Sequence, residues 1–332
     1  MSDSFLSGSS VLVTGGTGSF GRRFVEVLLA EHAPRRLVVF SRDEMKQHEM
    51  RQDLPEDKHK ALRYFIGDVR DVERLKRAMD GVDYVVHAAA LKQIQACEYN
   101  PMEAVLTNLM GAKNVIDAAL DSSVKKVMFL STDKAVSPVN LYGATKLCAE
   151  KLVVQSNSYS RSGGTTFSCV RYGNVFGSRA SIVPVLLSQR QNGRITLTDS
   201  RMTRFCITLN QGVQFVVQTL ERSSGGEVWI PKIPSVKVVD ILEAVAEGCE
   251  VEEIGIRPGE KLHEVLLSED EARHAVEFDD MFVIEPLHPW WRTPTWEGGK
   301  RPAEGYHYSS DNNDAWLDMM DVRGLVKAQF PE

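Results

Sequence analysis

SVLVTGGTGSFG, residues 10–21, is the stretch whose reading decides the fold. Its first five residues, 10–14, form a short apolar run that feeds directly into glycines, as a buried strand does. Phe20, Phe24, Val27 and Leu28 then share one helical stripe, so the spacing predicts a helix over 20–31. Between strand and helix each glycine has a task. Gly15 permits the tight turn, Gly18 lets the backbone approach a pyrophosphate, and Gly21 lets the helix lie close to the sheet. The N-terminus of that helix adds free N–H groups and positive dipole character for the anion.

Outward from this cradle, strands are expected at 37–40, 63–66, 84–87, 126–130 and 166–170. Helices fit between them, notably at 102–120 and 142–158. Strands alternating with helices imply right-handed crossovers, hence an α/β fold with a Rossmann-type, doubly wound parallel sheet. The rhythm fades near residue 177. Residues 1–177 are therefore expected to form the cofactor-binding domain with the catalytic residues. Residues 178–332 are expected to form a smaller C-terminal substrate-binding lobe, with some segments returning to the main sheet. Residues 286–302, with four prolines and three tryptophans, read as an irregular packed loop.

Composition narrows the function. The chain has 332 residues, 43% hydrophobic and 25% charged, which excludes disordered and collagen-like classes. Its 39 basic and 45 acidic residues leave a charge of −6 with no basic block, so a nucleic-acid partner has no electrostatic basis. Five scattered cysteines without CxxC spacing, and histidines without an HxxxH pair, argue for a reducing compartment and against a disulfide frame or a metal site. No apolar run approaches the ~18–20 residues of a membrane span. The start MSDSFLSGSS does not read as a signal peptide. These features lead us to expect a cytoplasmic protein without a membrane partner.

The second strand runs into Phe40-Ser41-Arg42-Asp43. A small hydroxyl donor followed by a guanidinium suits a ribose 2′-phosphate, and Lys46 adds a second cation one turn on, so NADP is the expected cofactor. Asp68-Val69 follows the third strand. There Asp68 either accepts from the adenine amine or caps the next helix.

Tyr142 and Lys146 stand at i and i+4, on one side of a helix. A nearby ammonium lowers a phenol's pKa toward working pH, so Tyr142 can take a hydroxyl proton as hydride leaves for nicotinamide. Upstream, Ser131-Thr132-Asp133-Lys134 closes a strand at the sheet edge where ligands bind. Alcohol oxidation needs the hydroxyl but not an adjacent acid and base. Asp133 and Lys134 therefore point to a second step, proton abstraction with leaving-group protonation.

Taken together, TGGTGSFG, SRDEMKQ, GDVRD, HAAALKQ, STDKAVSPVNLYGATK, RYGNVFGSR, TDSRMTRF, IPKIPS, IRPGEKLHE and YSSDNN resemble an extended short-chain dehydrogenase/reductase. More narrowly, they resemble the soluble, C-5-inverting UDP-N-acetylglucosamine 4,6-dehydratases of pseudaminic acid synthesis. Retaining relatives typically carry Asp-Glu where this chain has Asp133-Lys134. Ile94-Gln95 departs from the Val-Pro more common in the family and changes the loop after Lys92.

The resemblance implies that Gly15, Thr17, Gly18, Ser19, Phe20 and Gly21 cradle the pyrophosphate, and that Ser41, Arg42, Asp43 and Lys46 face the 2′-phosphate. It gives Asp68-Val69 to adenine, Ala88 and Lys92 to the active-site floor, Asn108 to support from its helix, and Val175 to the nicotinamide side. Asn174, Ser178, Thr198, Arg204, Arg257 and Glu260, with Lys92, would meet the UDP-sugar. Thr132, Asp133, Lys134, Tyr142 and Lys146 would carry the chemistry. Lys134 would be a neutral amine, its pKa depressed by Lys146 and oxidised nicotinamide. The implied product is UDP-2-acetamido-2,6-dideoxy-β-L-arabino-hexos-4-ulose, made by a homo-oligomer, either a dimer or a ring of dimers. A UDP-sugar 4-epimerase and a non-enzymatic NADP-sensing regulator are the competing readings.

One expectation follows from the second strand alone. Arg42→Ala should weaken NADP binding far more than NAD binding in fluorescence titrations. Equal losses would show that another group meets the 2′-phosphate.

Overall fold

The computed structural model describes residues 4–161, 163–178, 181–286, 296 and 298–330. Six strands run parallel: β1 (Ser10–Thr14), β2 (Arg36–Ser41), β3 (Leu62–Ile66), β4 (Tyr84–His87), β5 (Lys126–Leu130) and β6 (Thr166–Val170). They match the six expected strands to within a residue at each end. Val11, Leu12 and Val13 are fully buried, as both faces of a helix-covered parallel strand must be. β1 pairs with β2 on one side and β4 on the other, Thr14 lying opposite both Phe40 and His87. The sheet therefore runs β3-β2-β1 one way and β4-β5-β6 the other.

The expected helix at 20–31 is Ser19–Val27, prolonged by a wider π turn, Leu28–His32, and stopped at Ala33 in the left-handed region (φ 42°). The helix at 102–120 is likewise interrupted, with Pro101–Ala104, a π segment Val105–Met110, then Gly111–Asp121. Such bulges shift the phase of a helix and recur at functional sites. Here the segment carries Asn108. The helix at 142–158 is Leu141–Gln155 with a short 3₁₀ extension, Ser156–Tyr159.

Three later strands extend the main sheet beyond β6. Val228–Pro231 pairs parallel with β6, Met281–Ile284 pairs antiparallel with it in turn, and Ala275–Glu277 closes the edge. A second, smaller core gathers Phe176, Val183, Leu186, Ile195, Met202, Ile241 and Leu242 around the helices Ile182–Arg190, Val238–Ala246 and Met319–Gln329. The expected irregular loop at 286–302 lies largely outside the described residues.

A buried ion network joins these parts. The Arg171 side chain, fully buried just after β6, meets Glu150 at 2.5 Å and Glu271 at 2.9 Å and also donates to the Leu266 carbonyl. Glu150 in turn accepts from Ser131 at 2.6 Å. One guanidinium thus ties the helix Leu141–Gln155, the loop after β5 and the C-terminal segment into one body. Burial alone would raise the Glu271 pKa, but Arg171 pulls it down to about 2.

Arg171→Met would leave Glu150 buried without its cation and should destabilise the fold by about 3–5 kcal/mol in urea. A loss below about 1 kcal/mol, the size of an exposed pair, would show the network to be dispensable. Because the folded Glu271 pKa is depressed, its contribution is present above its ordinary pKa of 4.5 and is lost as pH falls toward about 2.

Candidate active site

The strand order reverses between β1 and β4, and a crevice opens outside their carboxyl ends. A cleft of about 860 Å³ fills it. Every site residue expected from the sequence lines that cleft except Asn108 and Thr198. Asn108 sits behind the wall. Its amide oxygen accepts from Leu91 N–H and its amide nitrogen donates to Leu91 O and Thr145 Oγ1, which fixes the loop before Lys92. Thr198 follows Arg194–Leu197, a strand drawn away to pair with Glu250–Glu253 in the smaller lobe, and does not line the cleft.

The glycine cradle fits a dinucleotide pyrophosphate. A Cβ on Gly15, which sits at φ 66°, would lie 2.9 Å from Ala89 backbone. One on Gly21 would lie 2.5 Å from Gly15 O and Gly16 Cα, so the helix could not approach the turn. Gly18 caps Ser19–Val27 in extended conformation. At the adenosine end, Asp43 accepts from Lys46 N at 3.0 Å and pairs with its ammonium at 2.8 Å. Ser41 Oγ accepts from Thr17 and Gln47, and Arg42 is half exposed beside Asp68. Asp68 does not cap the next helix. Asp71 does so, by accepting from Arg74 N, while Asp68 is gripped by Arg70.

At the other end, Thr132 Oγ1 and Lys134 Nζ both donate to Asp133 Oδ1, at 2.8 and 3.1 Å. Asp133 Oδ2 is buried with no hydrogen-bond partner. Lys134 Nζ also lies 3.3 Å from Glu264 Oε1. Burial would discharge this ammonium, but the two carboxylates outweigh it and raise its pKa. The expected neutral Lys134 is therefore corrected: the side chain rests protonated.

Tyr142 stands at the start of Leu141–Gln155, whose Asn140 cap accepts from Gly143 N at 2.7 Å. Burial pushes its phenol up to about 12, opposed by Lys134 and a Thr132 hydrogen bond. The expectation that Lys146 lowers this pKa is corrected too, because the cation acting on Tyr142 is Lys134. Lys146 donates to Leu130 O at 2.7 Å, lies 3.8 Å over the Phe129 ring, and is pushed by burial down to about 7.

Sequence reasoning missed Glu264 and Lys261. Both line the cleft and belong to IRPGEKLHE, the segment that supplied Arg257 and Glu260. No spacing marked them, and the one pointer was their place in the segment that already supplied Arg257 and Glu260. Among the described residues, no group of three or more His, Cys, Asp or Glu could hold a metal, and no helix is long and apolar enough to cross a membrane.

The family described as Polysaccharide biosynthesis protein matches residues 11–286. A Campylobacter jejuni protein named UDP-N-acetylglucosamine 4,6-dehydratase (inverting) is 46% identical over 329 residues, 96% of this chain and 98% of its own. A Rickettsia conorii protein named UDP-glucose 4-epimerase is 41% identical over 96% of this chain and 95% of its own. The X-ray structure of Pen from Bacillus thuringiensis, 40% identical, superposes with a TM-score of 0.89 over 98% of both chains. More distant solved proteins of the same fold hold NAD.

Proposed function

The chain belongs to the family of polysaccharide biosynthesis proteins, and on that footing we propose that it is a UDP-N-acetylglucosamine 4,6-dehydratase that inverts C-5. The observation that carries this reading is the Asp133–Lys134 pair, 3.1 Å apart, its carboxylate buried beside Thr132 and Tyr142. A 4-epimerase, the name of the Rickettsia relative, needs Tyr142 but no such acid and base. A cofactor-sensing regulator needs neither.

The cofactor is a nicotinamide dinucleotide. We assign it as NADP, because Arg42 directly follows β2 and Lys46 stands one turn into the next helix, and both line the adenosine end of the cleft. The glycine cradle, Arg42, Lys46 and Lys146 would hold the dinucleotide, which would supply a hydride acceptor for C-4 and a hydride donor for C-6. Tyr142 gives up its phenolic proton to solvent, a loss that Lys134 and the Thr132 hydrogen bond favour against burial, and as the phenolate it takes the C-4 hydroxyl proton, so that the new ketone acidifies C-5–H. Lys134 rests as an ammonium against Asp133. Moving one proton across that 3.1 Å hydrogen bond makes an amine and a carboxylic acid together. The amine then removes the C-5 proton, and the acid protonates the C-6 hydroxyl, which leaves as water. Reprotonation of C-5 from the opposite face completes the inversion, with no net oxidation.

Residues 1–177 then carry cofactor and chemistry, and 178–332 mainly the UDP-sugar. Arg204 and Arg257 supply the forked donors that a diphosphate wants. We place the protein in the cytoplasm, a reducing compartment that suits its five scattered cysteines, and read it as a homo-oligomer. Tyr99 and Met102 are 87% and 62% exposed, and Met102, Leu106 and Met110 repeat every four residues along one helical face. Light scattering should give at least a dimer's mass, and a monomer's mass at all working concentrations would contradict the assignment.

Lys134→Ala should abolish water loss yet still pass some C-4 hydride to the cofactor, seen as a slow, sub-stoichiometric rise in NADPH absorbance. Losing a general base typically costs ~10²–10⁴ in rate. Tyr142→Phe should suppress both events. A Lys134→Ala enzyme with near-normal turnover would put the base elsewhere.

A further inference from the structure

Glu264 is a buried carboxylate at the wall of the cleft, 3% exposed, brought there from a segment 130 residues beyond Lys134. Its backbone is clamped, since its N–H donates to Ser310 Oγ and its carbonyl accepts from Ser310 N–H. Its Oε1 faces Lys134 Nζ at 3.3 Å and Arg204 Nε at 3.9 Å, while Oε2 is buried with no hydrogen-bond partner. A buried ion pair of this kind is a weak source of stability, and an unsatisfied buried carboxylate oxygen is a cost. The dehydration chemistry assigned above uses Asp133 and Lys134 and leaves Glu264 without a task.

We propose that Glu264 is a positioning residue for the C-5 step: it holds the Lys134 amine in place when Asp133 has taken its proton, and it sets the pH at which Lys134 becomes a base. This rests on the dehydratase reading. When Asp133 Oδ1 is neutralised, the attraction that held Lys134 against it falls away. Glu264 Oε1 then remains as the second anchor on Nζ, so the amine does not swing out of the cleft. Its carboxylate also favours the ammonium, as Asp133 does, against burial. The other charged and titratable groups around Nζ are Arg204, Tyr142, Lys92 and Lys261. The three cations among them all oppose a charged Lys134, so the two carboxylates decide its state.

The sign of the test follows. The base is lost when the Asp133–Lys134 pair takes up a second proton, and a neighbouring carboxylate favours that uptake. Removing the charge therefore moves the acidic limb of the C-5 step to lower pH. The assay is deuterium incorporation at C-5 of UDP-N-acetylglucosamine over a pH series in deuterated water, with C-4 hydride transfer read separately as NADPH absorbance. Glu264→Gln should shift the half-maximal pH of C-5 exchange downward by about one unit or more, the usual effect of one nearby charge. It should also lower the ratio of C-5 exchange to C-4 oxidation at the plateau. Glu264→Asp, with its carboxylate drawn back by one methylene, should fall between wild type and Gln, and it carries the test alone if the Gln variant does not fold. A limb at the wild-type pH in both variants, or C-5 exchange and C-4 oxidation falling together, would assign Glu264 a merely structural part and overturn the proposal. A wild-type enzyme that exchanges no C-5 hydrogen would instead overturn the dehydratase reading itself.

Discussion

The reversal of strand order between β1 and β4 is the constraint on which the rest depends. Connections that leave two parallel strands toward opposite sides of one seam do not cover the carboxyl ends between them, so a crevice opens there. The loops after β1, β4 and β5 must empty into it, and these carry the glycine cradle, Ala88 to Lys92, and Thr132 to Lys134. The helix Leu141–Gln155 starts at the same edge and brings Tyr142 and Lys146. Arg171 then locks that helix to the C-terminal segment through Glu150 and Glu271, so the substrate side of the cleft is held in register with the chemical side.

Within the crevice the deciding quantity is charge. One ammonium, Lys134, is shared by two carboxylates, and three further cations, Arg204, Lys92 and Lys261, stand nearby. Burial sharpens every one of these interactions. It drives Lys146 down to about 7 and Tyr142 up to about 12, so the resting site stores its mobile proton on Lys134 and its phenol intact. A single proton moved from Lys134 to Asp133 turns the resting ion pair into the acid and base that elimination of water needs.

Much of this was legible in the chain. The strands read clearly because a parallel strand covered on both faces is an unbroken apolar run, as in Val11 to Val13. Tyr142 and Lys146 read clearly because one helix sets their spacing. The electrostatics did not. Lys146 turns toward Leu130 O, and the cation that acts on Tyr142 comes from the preceding loop, eight residues upstream. Glu264 reaches Lys134 only through tertiary folding across 130 residues, which no local pattern encodes. Thr198 was misplaced for a related reason. The short strand before it pairs with Glu250–Glu253, a partner that periodicity could not identify.

The central claim is that one active site oxidises C-4, eliminates water across C-5 and C-6, and returns the hydride while inverting C-5. It is tested most directly by incubating the purified protein with UDP-N-acetylglucosamine labelled with deuterium at C-4 in ordinary water, and the unlabelled sugar in deuterated water, followed by mass spectrometry and NMR. The account predicts a product lighter by one water, with the C-4 label found at C-6 in the first sample, and solvent deuterium at C-5 with inverted configuration in the second. A product of unchanged mass with only C-4 inverted, or a dehydrated product that retains the C-5 configuration, would contradict it.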